Sequence, residues 1–343
     1  MQPTKLTLAD GKVFAGFAPK GQKNSPPAEV VFNTGMTGYE ESLTDPSYAG
    51  QILVFTYPLM GNYGVSGKNN WESDKIHAYG VVVSESCQTW SHQGSHQSLL
   101  DWLKNQNVPI ITGVDTRALT KHLRVQGTMG GIIGGSKSSL KNFIFKTKIV
   151  SVARPIIYNE NHKKTIILVD CGAKNNILRL LIKLPVKVKK VPYDYDYTHE
   201  DYDGVVISNG PGDPADYKKT VSIVCKAFVK NKPIFGICLG SQLMGLAAGA
   251  ETYKLRFGHR GHNQPCISAS PGQCYITSQN HGYAIDEKTL PKDWEVNFRN
   301  LNDDSIEGIR HKIRPFFSVQ FHPEASPGPT DTSWLFKKFW ETL

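Results

Sequence analysis

Short apolar runs punctuate the second half of the chain: Thr165-Ile-Ile-Leu-Val-Asp170, Val186-Lys-Val-Lys-Lys-Val191, Gly204-Val-Val-Ile-Ser208, Ile234-Phe-Gly-Ile237 and Phe316 to Phe321. Between them lie helical patterns at Lys174 to Ile182, about Ala215 to Val229, and Leu239 to Ala248, the last with Gly249 placed to end it. Alternating β and α elements with short connections predict a parallel sheet with helices on both faces. Ligands of such sheets bind at the carboxyl ends of the strands. Gln273 to Thr277, Glu295 to Asn300 and Ile306 to His311 read as later strands, and Ser333 to Leu343 as a closing helix.

The first half follows a different pattern. Strands are predicted on either side of Asp10-Gly11 as a hairpin, then at Ala28 to Asn33, Gln51 to Tyr57, Tyr79 to Val83 and Val108 to Gly113. Helices are predicted at Tyr39 to Leu43, stopped by Pro46, at Ser98 to Asn105, and from an Asp115 N-cap to Gly127. This is an α+β pattern without a visible nucleophile–base pair. The polar stretches 136–148 and 154–164 place a boundary near residues 150 to 160. The expected organisation is a smaller N-terminal α+β domain, residues 1–150, and a C-terminal doubly wound α/β domain, residues 163–343.

Chemistry concentrates at the predicted rim. Gly236-Ile-Cys238-Leu-Gly240 joins a strand to a helix and has the glycine–nucleophile–glycine spacing of a nucleophile elbow, with Cys in place of Ser. A thiol at a helix N-terminus meets partial positive charge that favours thiolate. A buried structural cysteine beside packing glycines fits the same five residues. His322-Pro-Glu324 ends an apolar strand with a base and an acid, two positions apart and thus on one side of an extended segment. With Cys238 they form a candidate Cys-His-Glu triad. The acid follows the histidine, which is not the chain order of an α/β-hydrolase. The loop Asn209-Gly-Pro-Gly-Asp-Pro214 lets backbone approach a ligand, so Gly210 and Leu239 N–H groups are candidate oxyanion donors. Gln242, one turn past Cys238, is a candidate partner for an amide substrate. Gln279-Asn-His281-Gly-Tyr283 reads as a second polar loop, with His281 either packing or neighbouring the substrate.

Bulk properties narrow the remaining classes. A chain of 343 residues, 39% hydrophobic and 20% charged, suits two globular domains. No apolar run is long enough to span a membrane, and residues 1–16 lack the pattern of a signal peptide, so a cytoplasmic location and no membrane partner are expected. The six cysteines show no C-x-x-C pair, so reduced thiols are expected and neither zinc nor another metal. The net charge of +9 is dispersed, which gives no footprint for nucleic acid. Its one cluster, Lys183, Lys187, Lys189 and Lys190, reads as a solvated strand edge. No G-x-x-x-x-G-K-[ST] loop is present, so the chain is not expected to bind ATP itself.

Taken together, Gly-Ile-Cys238-Leu-Gly-Ser-Gln242 and His322-Pro-Glu324 resemble the class I (triad) glutamine amidotransferases, whose glutaminase domain is flavodoxin-like. The segments 33–48, 115–120, 209–214, 279–283 and 322–329 further resemble the small-chain family of carbamoyl-phosphate synthase, over nearly the whole chain. The resemblance implies glutamine hydrolysis through a Cys238 thioester, with His322 moving protons and Glu324 orienting it. It implies that Ser47, Gly210, Gly212, Leu239, Gln242, Asn280, Gly282 and Tyr283 line the L-glutamine site, Ser47 coming from the N-terminal domain. It also implies a heterodimer in which ammonia passes to a large chain that uses ATP, magnesium and bicarbonate, for arginine and pyrimidine synthesis. The chain departs from the family pattern at Tyr283, where Phe is usual, at Gln264, where His is usual, and at His262, where a small residue is usual. A stand-alone cysteine hydrolase and a non-catalytic interaction module are the alternatives the residues themselves leave open.

Overall fold

In the computed structural model, which describes every residue except 142, 270 and 271, the chain divides into two units, Met1–Lys148 and Ile149–Leu343.

In the first unit the sheet runs Val13–Ala18, Gln2–Leu8, Met129–Ile133, Ala28–Asn33, Gln51–Phe55, Gly80–Val82, Ile110–Ile111. The pairs nearest the hairpin are antiparallel, and those from Ala28–Asn33 onward are parallel. Asp115 caps its helix by accepting from the Ala118 N–H at 2.8 Å, and Gly127 ends it at φ 92°. A core of Tyr39, Leu43, Trp71, Leu99 and Trp102 packs on this sheet.

In the second unit the sheet has ten strands among the described residues. Its parallel part runs Lys187–Pro192, Thr165–Asp170, Gly204–Ile207, Ile234–Ile237, Phe316–Val319. The period-two side-chain alternation explains why these strands are apolar throughout. Ile166, Leu168, Val206, Phe235 and Ile237 face the helices Asn175–Leu181 and Trp334–Glu341. Ile167, Val169, Val205, Ile207 and Ile234 face Lys218–Val229 and Leu239–Ala248. The architecture is therefore doubly wound α/β.

Three expectations are corrected here. The lysine-rich strand is not an edge. Ile156–Tyr158, within a stretch read as polar linker, pairs antiparallel with its outer side. Two of its lysines form ion pairs instead: Lys189 to Glu200 at 2.5 Å and Lys190 to Asp170 at 3.2 Å. Second, residues 279–283 are not a loop. They belong to the strand Cys274–Ile285, paired antiparallel with the long strand Thr252–Ser268. Polar side chains hid this hairpin, because its inner face buries a hydrogen-bonded network rather than an apolar stripe. Third, the last parallel strand stops at Val319, so His322 and Glu324 lie beyond it, in a turn closed by the Ala325 N–H donating to the His322 carbonyl at 3.1 Å.

Candidate active site

Four adjacent parallel strands end side by side, and each hands one or two functional groups to the same rim. Thr165–Asp170 leads into Lys174, Gly204–Ile207 into Asn209 and Gly210, Ile234–Ile237 into Cys238, and Phe316–Val319 into Gln320 and His322. Register pairs Ile237 with Val319, so Cys238 and Gln320 are neighbours.

Cys238 occupies a backbone conformation, φ 52° and ψ −104°, that L-residues rarely adopt. It is held there from both sides. Its N–H donates to the Val319 carbonyl at 2.8 Å, and its carbonyl accepts from the Ser241 N–H at 3.0 Å. Gly240 is required by close approach: a Cβ there would lie 2.1 Å from the Ile207 carbonyl oxygen. The thiol is buried, donates to the Asn280 carbonyl at 3.6 Å, and accepts from Gln320 Nε2 at 3.6 Å.

His322 Nδ1 meets Glu324 Oε1 at 2.6 Å, and both side chains are buried. His322 Nε2 is buried without a conventional hydrogen-bond partner. Burial alone would lower the His322 pKa, but the Glu324 carboxylate and then Cys238 overcome it and raise the value to about 10. Nδ1 is thus committed to the acid while Nε2 is held by no other group, the arrangement that a nucleophile–base–orienter triad requires. Burial pushes the Glu324 carboxyl up, yet the Lys174 ammonium, then His322, hold it at about 2.

Sequence reasoning missed Lys174, which it assigned to a helix start. Lys174 is buried, with Nζ 3.0 Å from Glu324 Oε1 and donating also to the Ala325 carbonyl. Its N–H donates to Asn209 Oδ1 at 3.0 Å, which ties the strand-end loops together. Asn176 Nδ2 donates to the Glu324 carbonyl. Gln320 was also missed: it links Cys238 to Gln242, accepting from Gln242 Nε2 at 3.1 Å. The only sequence signal for Lys174 was its position just past the carboxyl end of a predicted strand, whereas Gln320 was hidden inside the predicted strand Phe316 to Phe321, which in fact stops at Val319.

The predicted lining residues distribute as follows. Gln242 is buried rather than solvent-exposed, and its Nε2 donates to the Tyr283 carbonyl at 2.9 Å. The Asn280 carbonyl meets the thiol, so Asn280, Gly282 and Tyr283 enter the site on a strand whose Ser278 carbonyl accepts the His322 N–H at 2.8 Å. Gly210 and Leu239 adjoin: a Cβ on Gly210 would lie 2.0 Å from the Cys171 carbonyl oxygen and 2.8 Å from Leu239 Cδ2. Gly212, at φ 88°, shares that loop, which is pinned by Tyr217 Oη donating to the Pro211 carbonyl at 2.9 Å. His262 neighbours the triad, and burial, then Lys174 and His322, lower its pKa to about 4. Ser47 belongs to the first unit, where it is buried in a short turn and its N–H donates to Asp45 Oδ1 at 2.8 Å. Ten of the eleven predicted positions thus gather in the second unit.

This combination, a strained cysteine at a strand–helix elbow with a His-Glu pair from the neighbouring strand end, defines the class: a triad amidotransferase domain on a doubly wound sheet. Comparison with known proteins agrees. The model for glutamine amidotransferase class-I matches residues 167–342, and that for the carbamoyl-phosphate synthase small chain, CPSase domain, matches residues 6–133. The chain belongs to the carbamoyl-phosphate synthase small-chain family.

It is 46% identical over 359 residues to the carbamoyl phosphate synthase arginine-specific small chain of Neurospora crassa, covering 98% of this chain and 79% of that one. It is 46% identical to multifunctional protein pyr1-3 of Dictyostelium discoideum over 97% of its own length, and 48% identical to multifunctional protein CAD of Squalus acanthias over 98%. The chain spans only 16% of the length of each of those two multifunctional proteins. Among the described residues, no helix is long and apolar enough to cross a membrane.

Proposed function

We propose that the chain hydrolyses L-glutamine and supplies the ammonia to a large chain for carbamoyl phosphate synthesis. Cys238 gives its Sγ proton to His322 and attacks the side-chain amide carbon, and the carbonyl oxygen takes the negative charge, facing the N–H groups of Leu239 and Gly210. His322 gives a proton to the amide nitrogen, the C–N bond breaks, and ammonia leaves a γ-glutamyl thioester. Water then attacks the thioester carbon, His322 accepts its proton, and glutamate departs as the thiol re-forms. Glu324 holds the His322 ring by Nδ1, and Lys174 keeps Glu324 ionised. Gln242, Asn280, Gly282, Tyr283 and Gly212 line the glutamine pocket. ATP, magnesium and bicarbonate belong to the large chain in this reading, and the location is cytoplasmic. The name of the Neurospora crassa relative supports arginine synthesis, and pyrimidine synthesis is the second pathway of this reading.

The observation that carries the reading is the 2.6 Å His322–Glu324 pair beside a strained, buried Cys238. Cys238→Ser tests it. The variant is expected to lose glutamine hydrolysis while the complex assembled with a large chain still makes carbamoyl phosphate from free ammonia. Glutamine use by that variant at the wild-type rate would falsify the assignment. Glutamine hydrolysis at full speed without a large chain would instead point to a stand-alone hydrolase.

A further inference from the structure

Behind the pocket wall lies a second buried carboxylate that the triad does not use. His259 and His281 stand opposite each other on the paired strands Thr252–Ser268 and Cys274–Ile285, their rings edge to face at 4.9 Å. Glu307, fully buried on the strand Ile306–His311, faces both: its Oε1 is 3.3 Å from His259 Nδ1 and 3.4 Å from His281 Nε2. Each ring has an anchor on its far side. His259 Nε2 meets Asp303 Oδ2 at 2.8 Å, and His281 Nδ1 meets the Tyr283 carbonyl at 2.9 Å. That carbonyl also accepts from Gln242 Nε2, the amide one turn past Cys238.

Two histidines and a glutamate with ligand atoms within 4.8 Å of one another also satisfy the ligand set of a divalent metal. A neighbouring side chain decides against it. Asn300 Oδ1 accepts the Asn302 N–H at 2.8 Å, which fixes the amide orientation and turns Nδ2 inward. Nδ2 then stands 3.4 Å from His259 Nδ1 and 3.5 Å from Glu307 Oε1. A hydrogen-bond donor thus stands among the atoms that would ligate a cation, so the cluster is a hydrogen-bonded network.

The carboxylate is a costly way to fill this space. Glu307 Oε2 is buried without a hydrogen-bond partner, and an apolar side chain of similar volume would avoid that desolvation. We propose that Glu307 is a positioning residue: by clamping His281 against His259 it sets the Asn280–Tyr283 backbone, and through it Gln242, at the spacing that glutamine requires. The inference rests on the glutaminase reading above and names a residue for binding, not for chemistry, because the network touches the pocket wall and not the His322–Glu324 pair.

Steady-state glutaminase kinetics of the full chain test it. Glu307→Leu is expected to raise KM for glutamine about tenfold or more with kcat within about threefold, since the wall moves and the triad does not. Glu307→Gln, which keeps the shape and one acceptor, recovers most of that loss. On a His281→Asn background, Glu307→Leu is expected to add little, because the two act as a unit.

A folded Glu307→Leu chain with wild-type KM overturns the proposal, as does a fall in kcat at unchanged KM. A stoichiometric zinc ion in the wild-type protein that Glu307→Leu loses overturns it as well. Should Glu307→Leu fail to fold, the half-exposed Asp303 at the outer end of the network decides. A rise of about two- to threefold in KM for Asp303→Asn supports the clamp, and an unchanged KM refutes it. A wild-type chain inert toward glutamine, with and without a large chain, sinks both readings. An active wild type with unaffected variants sinks only this one.

Discussion

Glu40 in the first unit and Glu324 in the second are both buried glutamates, and their surroundings differ in kind. Glu40 Oε2 accepts from the Ser66 N–H at 2.8 Å, Ser66 Oγ at 2.9 Å and Trp71 Nε1 at 3.2 Å, all neutral donors. Burial outweighs them and raises its pKa. Glu324 faces the Lys174 ammonium and His322, and its pKa falls to about 2. The same side chain is thus an ordering device in one unit and a fixed negative charge in the other. Burial alone does not mark a working acid; a cation and a base in contact with it do.

That contrast can be broken at several points. The largest effect is expected at the base. His322→Asn should cut kcat for glutamine hydrolysis by about 10⁴-fold, the scale of losing a triad member, measured as ammonia release. A loss below tenfold would mean that another group moves the proton. Next comes Lys174→Met, which leaves Glu324 buried with one cation fewer. It should cost about 3–5 kcal/mol in urea unfolding, as for a broken buried ion pair, whereas Glu40→Gln should shift stability by about 1 kcal/mol at most. Equal costs for the two would erase the distinction drawn here. Gly240→Ala drives a methyl into the Ile207 carbonyl. It is expected to cost about 1–3 kcal/mol as overpacking and to displace Cys238, seen as slowed alkylation of the thiol.

The smallest and most specific effect is in the pH dependence of stability. The folded pKa of Glu324, about 2, lies below its ordinary 4.5, so its stabilisation is complete above pH 4.5 and is lost as pH falls toward 2. The deficit of Glu324→Gln relative to wild type should therefore shrink over that window. Glu40 has the opposite sign: its raised pKa means that protonation favours the fold, so any gain from Glu40→Gln at neutral pH should fade as the solution is acidified. Parallel profiles for the two variants would contradict the assignment of their charge states.

Much of the second unit was legible because its strands are buried on both faces and bounded by turn residues. The strand Ile234–Ile237 and the helix Leu239–Ala248 fall where the apolar pattern put them, with Gly249 in the left-handed conformation that ends the helix. The hairpin Thr252–Ser268 with Cys274–Ile285 was not legible, because His259, Arg260, Gln279 and His281 are buried polar residues that read as a loop. The 2.6 Å contact of His322 with Glu324 was anticipated, although it forms across a turn and not along a strand. Nothing local to Lys174 or Glu307 named its partner, since each acquires its role from a residue about 150 and 26 positions away in sequence, Glu324 and His281.

The sequence by itself determined the doubly wound core, the elbow and the choice of Cys238, His322 and Glu324 as candidate nucleophile, base and acid. These follow from local grammar: apolar period, glycine spacing and the short reach from His322 to Glu324. Only the tertiary structure decided which charges are paired. It brought Lys174 onto Glu324, seated Gln320 beside Cys238 and locked His259, Glu307 and His281 behind the pocket wall. Electrostatic roles depend on distance and desolvation in three dimensions, and no run of neighbouring residues encodes either.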